Sequence, residues 1–442
     1  MDIIFTKNLT LLFIVLLFPF APSANSIVIN EFMASNGSTI ADADGDFEDW
    51  IELYNSGEEA IDLSGYYLSD DANDLLRWQF PEGSASVGPG EFLLVWASGK
   101  DKIDANNQHH TNFSISRDGE PLFLSGPTGI SLDTVPSTQV PRDVSYGRQP
   151  DGADSWVYFV TPSPGAANNT TGYSGMLAPP DFSHEAGFYT EGFSLELSHS
   201  DDNATIYYTL DGSIPTEAAT PYEAPIWIDS RGGDPNTISL IPTGYLWLAP
   251  GEEIFKGTVI RTKAFRDDFI DSETKTYSFF VDPDIYNRYH VPLISLATAP
   301  DNFFDDEHGI YVPGNLYPGT IPDELWHPGN YFQRGALWER PLHISFFEPG
   351  GLTAFSQDAG VRIHGGVSRG FQLKTLRCYA RNVYGEATFS YDLFDGGVTD
   401  TFKRFLLRNS GNDYDKTFFR DALTHTLVQD LRLDSSSENP SV

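Results

Sequence analysis

Short alternating apolar runs, each cut by turn-forming residues, constrain this chain more than any other feature. In the first third they fall at Ile27–Phe32, Trp50–Asn55, Gly65–Ser69, Arg77–Phe80, Glu91–Ala97, Pro121–Ser125 and Val144–Arg148. Pro89-Gly90, Asp118-Gly119 and Asp151-Gly152 punctuate them. A strand sends successive side chains to opposite faces, so strand-length runs at this spacing predict an antiparallel β-sandwich over 27–167. Long helical periods are nearly absent, and 39 Gly with 29 Pro supply turns throughout. The whole chain is therefore expected to be mainly β.

The 442 residues suggest about three domains. With 62 Asp+Glu against 27 Lys+Arg, the formal charge is −35, which argues against nucleic acid or an anionic membrane as partner. At the start, Asp2 and Lys7 precede the apolar Leu9–Phe20 and the small residues Ala21 to Ser26. That run is too short to span a bilayer and predicts a secretory signal over 1–26, a retained anchor being the alternative. No later run reaches spanning length, so a secreted, cell-surface or periplasmic body without a transmembrane segment is expected. The lone Cys378 excludes an intrachain disulfide and reads as a small buried hydrophobe in a strand.

Just before the Trp50 run lies Asp42-Ala43-Asp44-Gly45-Asp46-Phe47-Glu48-Asp49. Carboxylates at alternating positions around a glycine suit calcium, with Asp42, Asp44 and Asp46 as ligands. A solvated acidic turn is the competing reading, since neither flanking helices nor a glutamate at the twelfth position completes an EF-hand. The segment IVINEFMASN, DWIELYNSG and IDLSGYYLSDD, closing on Thr161–Asn169 (TPSPGAANN), resembles a lamin-tail domain. The resemblance implies an immunoglobulin-like accessory module for targeting or binding.

A stretch rich in Asn, Thr, Gly and Pro, 168–180, reads as a linker to a second sandwich over 181–283. Ala204–Thr216 (ATIYYTLDGSIPT) breaks at Asp211-Gly212, and Val259–Phe265 and Lys275–Phe280 supply later strands. This resembles the C-terminal domain of chitobiase and hexosaminidases, which implies a spacer without catalytic residues. Tyr207, Tyr208, Trp227 and Trp247 read either as core aromatics or as a sugar-binding surface.

From Tyr289 the pattern becomes α+β, with strands at Val291–Ala297 and Leu342–Glu348 and a helix over Lys416–Leu431. Within it, Val361–Gly385 holds no acid but carries Arg362, His364, Arg369, Lys374, Arg377 and Arg381 around Gly365-Gly366. Two strands joined at GGVSRG would set backbone N–H groups and cationic side chains toward an anion. Arg362 and Arg377 read equally well as partners for neighbouring acids. With Tyr384-Gly385 and the downstream KRFLLRNSGNDYDKTFFRDALTHTLVQDL, the strip resembles the first part of a CotH-like atypical kinase. That resemblance implies ATP with Mg or Mn, and phosphorylation of Ser or Thr on an extracytoplasmic protein. Lys374, Arg369, Gly365, Gly366 and Arg362 would then form one wall of the nucleotide site. Asp413 and Asp415 read either as metal-holding or as a capped helix entrance, and no catalytic residue is assigned.

The expected architecture is thus two consecutive β-sandwiches followed by an incomplete kinase-like α+β domain over 289–433 and a disordered tail, 434–442. The family's metal-binding aspartates follow that helix, so the chain reads as truncated. Its alternative function is non-catalytic adhesion to a protein or glycan through the sandwich modules.

Overall fold

The computed structural model describes residues 26–83, 85–319, 321–393, 399–413, 416–420 and 422–424. The expected signal before Ser26, Asp415, the helix beyond Thr424 and the tail lie outside them. The chain is mainly β, and it divides between Ser174 and Gly175 into two compact units. That division falls inside the stretch read as a linker.

The first unit contains β1 (Ile27–Met33), β2 (Asp49–Asn55), β3 (Tyr67–Ser69), β4 (Trp78–Gln79), β5 (Phe92–Ala97), β6 (Lys102–Ile103) and β7 (His109–His110). It continues with β8 (Leu122–Ser125), β9 (Ser131–Val135), β10 (Ser145–Arg148) and β11 (Trp156–Phe159). One sheet has seven strands in the order β11-β10-β1-β2-β5-β7-β6, and another has four in the order β9-β8-β3-β4. Neighbours run antiparallel except β7 beside β5. Ile29, Phe32, Ile51, Leu53, Val95, Leu122 and Leu124 are buried, as half-apolar strands of a sandwich require. Strand β1 departs from alternation, because all seven of its residues are buried. Its pairing with β2 shifts between Ile29 and Glu31, a bulge that turns polar side chains inward.

In the second unit, β12 (Gly187–Tyr189), β13 (Phe193–Leu195), β14 (Thr205–Thr209), β15 (Thr220–Pro221), β16 (Ile226–Ile228), β17 (Thr258–Phe265) and β18 (Lys275–Val281) come first. Five of them pair in the order β12-β18-β17-β14-β15, and β13 pairs with β16. Leu195, Ile206, Ile228, Ile260 and Phe279 fill the core between them. The chain then builds β19 (Leu293–Ala297), β20 (Arg340–Phe347), β21 (Thr353–His364), β22 (Thr375–Tyr379) and β23 (Arg404–Leu407), which form one five-stranded sheet in chain order. On one face of it Val361, Ile363, Leu376, Cys378 and Phe405 join an apolar cluster. The alternate residues Arg362, His364, Arg377 and Arg404 belong to the opposite face.

The segment expected to act as a spacer is docked onto this last sheet. Phe188 and Ile285 share a buried cluster with Phe347 of β20. Ser278 and Ser295 hydroxyls meet at 2.8 Å, and Thr353 donates to the Ala186 carbonyl at 3.3 Å. Gly187, at φ 147°, passes so close to the Gly351 carbonyl that an added Cβ would stand 2.5 Å from it. Only glycine tolerates both that conformation and that approach.

Candidate functional site

The basic strip spans the end of β21, a short 3₁₀ turn at Val367–Gly370 and β22. Its turn is braced from the preceding module. Tyr245 N–H donates to the Gly370 carbonyl at 2.8 Å, the Thr243 hydroxyl to that of Gln372 at 2.9 Å, and the Gln372 amide to that of Leu246 at 2.5 Å. Gly365 has φ 116°, in the left-handed region, and Gly366 is exposed.

The five residues expected to line one wall are held differently. Arg362 is engaged by Glu339, its Nε donating at 2.7 Å, and Arg381 and Tyr384 donate to the same carboxylate at 2.9 and 3.1 Å. This realises the ion-pair alternative for Arg362. Arg369 is buried, and its guanidinium donates to the carbonyls of Gly365, Tyr331 and Gln333. Lys374 is also buried rather than presented on the strip's open face. Its Nζ donates to the Phe371 carbonyl at 2.5 Å and lies 4.2 and 5.2 Å from the ring centres of Tyr331 and Tyr311. Burial without a carboxylate drives its ammonium well below the usual lysine range. Arg377 reaches His364 at 3.1 Å instead of an acid. Cys378 is fully buried, which pushes its thiol up to about 12. Downstream, the Asp413 carboxylate accepts from the N–H groups of Thr417 and Arg420.

In the first unit, single oxygens of Asp42, Asp44 and Asp46 lie within 4.8 Å of one another. The Lys100 ammonium stands among them, 2.5 Å from Asp42, 3.2 Å from Asp44, 2.8 Å from Asp46 and 3.1 Å from Glu48, while Lys102 bonds Asp44. Desolvation would depress Lys100, but the bonds from Asp42, Asp46, Glu48 and Asp44 together hold it above its ordinary value. The chain thus supplies its own counter-charge where the acidic loop suggested calcium. Lys100→Gln is expected to destabilise this unit by about 1–3 kcal/mol and to make its melting calcium-dependent. Calcium titrations followed by thermal denaturation check both effects. A calcium response of the unaltered protein as large as that of the variant would show that Lys100 is no substitute.

Sequence reasoning missed two buried polar groupings. Glu31 and Glu52 are cross-strand partners on β1 and β2, and both are fully buried. They accept bonds from the segment 161–169, Gly165 N–H reaching Glu52 at 2.6 Å and Ser163 N–H reaching Glu31 at 3.2 Å. Elsewhere His110 bridges Ser98 at 2.9 Å and Asp104 at 3.4 Å, anchoring the loop between β5 and β7. A carboxylate on a strand otherwise full of apolar residues was the available signal for the first grouping. Nothing local marked the second.

In the second unit Trp227 on β16 is 64% exposed, and its indole lies across Gly192, whose added Cβ would stand 2.8 Å from the ring. Its Nε1 donates to Asp229 at 3.2 Å. Tyr208 instead packs against the core.

These features define a modular, mainly β protein with buried polar networks in its first unit and a basic strip in its second. Residues 21–139 match the family model described as Lamin Tail Domain. Residues 184–243 match that described as Chitobiase/beta-hexosaminidase C-terminal domain. No curated protein matches the chain. Among the described residues, no helix is long and apolar enough to cross a membrane.

Proposed function

We propose that this chain is a secreted or cell-surface interaction protein whose sandwich modules, 27–167 and 181–283, hold a glycan-bearing partner. The two matched modules support a non-catalytic binding role. The observation that carries the glycan reading is Trp227, an indole face left open to solvent on a short strand and flanked by Asp229. A flat aromatic face buries the C–H side of a sugar ring while a nearby carboxylate accepts from its hydroxyls. Trp227→Ala is expected to weaken retention on insoluble chitin or a comparable polysaccharide about tenfold, with the fold unchanged because the ring is outside the core. Equal retention of both proteins, or none of the unaltered one, would remove this reading.

A second reading is favoured by the three guanidinium groups, of Arg334, Arg369 and Arg377, that meet where β21 enters its turn. In it the segment 289–433 is the nucleotide-holding part of a CotH-like kinase, using ATP with Mg or Mn to phosphorylate Ser or Thr of an extracytoplasmic protein. Arg369 and the Gly365-Gly366 backbone would meet the phosphates. Lys374 would have to leave its place between Tyr311 and Tyr331 to join them, and Arg362 would have to leave Glu339. Binding of ATP, compared with that of tripolyphosphate at equal ionic strength, tests this reading.

A further inference from the structure

We infer that His364 and Gly365 are the centre of a binding site for a small polyphosphate-bearing anion, formed by Arg334, Arg369 and Arg377. The inference rests on the basic strip of the second reading, but it keeps only Arg369 of that reading's cationic groups and puts Arg334 and Arg377 in place of Lys374 and Arg362.

Three guanidinium groups converge on two consecutive residues. Arg377 donates to His364 Nε2 at 3.1 Å. Arg369 Nε and Arg334 Nη2 both donate to the single carbonyl oxygen of Gly365, at 2.8 and 3.4 Å. Because a guanidinium can only donate, His364 accepts through Nε2 and is the neutral tautomer with its proton on Nδ1. None of Arg334, Arg369 and Arg377 meets a carboxylate among the described residues. That is unusual in a chain with a formal charge of −35, where Arg362 and Arg381 a few residues away are both paired with Glu339.

The grouping is electrostatically unfavourable as it stands. Desolvation and then the charges of Arg377, Arg369, Arg408 and Arg334 hold His364 below the ordinary histidine range. Desolvation, followed by Arg334 and Arg377, brings Arg369 down to about 10. Like charges gathered on neutral oxygens and an imidazole lose repulsion when a multivalent anion arrives. Guanidinium forks suit phosphate oxygens in particular, since each offers paired donors. Arg334 is exposed and Arg377 half-exposed, so the face is reached from solvent, while buried Arg369 fixes the turn from behind.

The test uses the whole chain with sodium tripolyphosphate and, separately, ATP, each matched to sodium chloride of equal ionic strength. Tripolyphosphate is expected to raise both the melting temperature and the His364 pKa read by NMR. Arg377→Gln and the solvent-exposed Arg334→Ala should each weaken it about tenfold, the loss of one charge-assisted contact. Lys256→Gln, a charge-matched change in the preceding module, should leave binding intact. If sodium chloride reproduces the shifts, or if both arginine variants bind like the unaltered protein, the site is not there. ATP binding no more tightly than tripolyphosphate would leave this site standing and overturn the nucleotide reading. ATP binding that leaves His364 unmoved and is indifferent to Arg334 and Arg377 would do the reverse.

Discussion

Raising the pH from about 6.5 to about 9 is expected to destabilise the first unit by a few kcal/mol, and Glu52→Gln to remove most of that loss. Glu31 and Glu52 face each other across β1 and β2, and neither meets a cation among the described residues. Their hydrogen bonds come from Asn30, Ser145, Ser163 and the Gly165 backbone. The nearby Arg148 is committed to Asp133 and to the Ile29 carbonyl. Burial, and then the charge of Glu31, push Glu52 up to about 8, and burial raises Glu31 as well. Asp151 adds repulsion to both.

The folded pair therefore holds a proton that the unfolded chain releases above the ordinary carboxyl range. Where the folded state binds more protons, stability falls as pH rises, so the contribution is full below the unfolded value and is lost up to about 8. Asp49, pushed up to about 6 by burial, acts in the same direction but has finished before this window. Buried His109, whose depressed pKa makes folding weaker in acid, acts below it. Glutamine keeps the size of Glu52 and carries no charge. Amide hydrogen exchange of β1 and β2 in the whole chain, followed against pH, measures the effect. Parallel pH profiles for the two proteins would mean that the pair does not hold the proton.

The same residues show how much of the molecule was legible in its sequence. Alternation and turn residues located β5, β8, β17 and β18 closely, because each has a Gly, Pro or Asp break beside it, and β1, β2 and β22 were found as short apolar runs although β1 is buried on both faces. Strand β21 was seen only at its end. Its first half, Thr353–Asp358, carries Ser356, Gln357 and Asp358, and its order comes from long antiparallel pairing with β20 rather than from an apolar face. At the basic strip the residue types were legible and the partners were not. Glu339 lies 23 positions before Arg362 and Tyr331 lies 43 before Lys374, separations at which one-dimensional spacing carries no information on contact. Lys100, far along the chain from the acidic loop, was hidden for the same reason.

Lys374→Met is expected to flatten the pH dependence of the second unit and to raise its melting temperature at neutral pH by about 2–6 °C. The unaltered lysine is 3% exposed and bonded to one neutral carbonyl, so burial favours its uncharged amine. A base whose folded pKa is depressed binds fewer protons folded than unfolded. Stability then rises with pH from the folded pKa up to the ordinary lysine value of 10.5. Methionine fills a similar space without that term, though it leaves the Phe371 carbonyl without its donor and gives up the contacts to Tyr311 and Tyr331. The two proteins should therefore differ most near neutrality and converge as the solution becomes alkaline, where the neutral amine keeps its bond at no charge-burial cost. Thermal melts across that range separate the possibilities. A variant less stable at every pH, whose loss does not vary with pH, would mean that the ammonium stays charged in the interior. Lys374 would then need an anionic partner beyond the described contacts, and the kinase-like reading would gain the phosphate-facing lysine that its burial otherwise withholds.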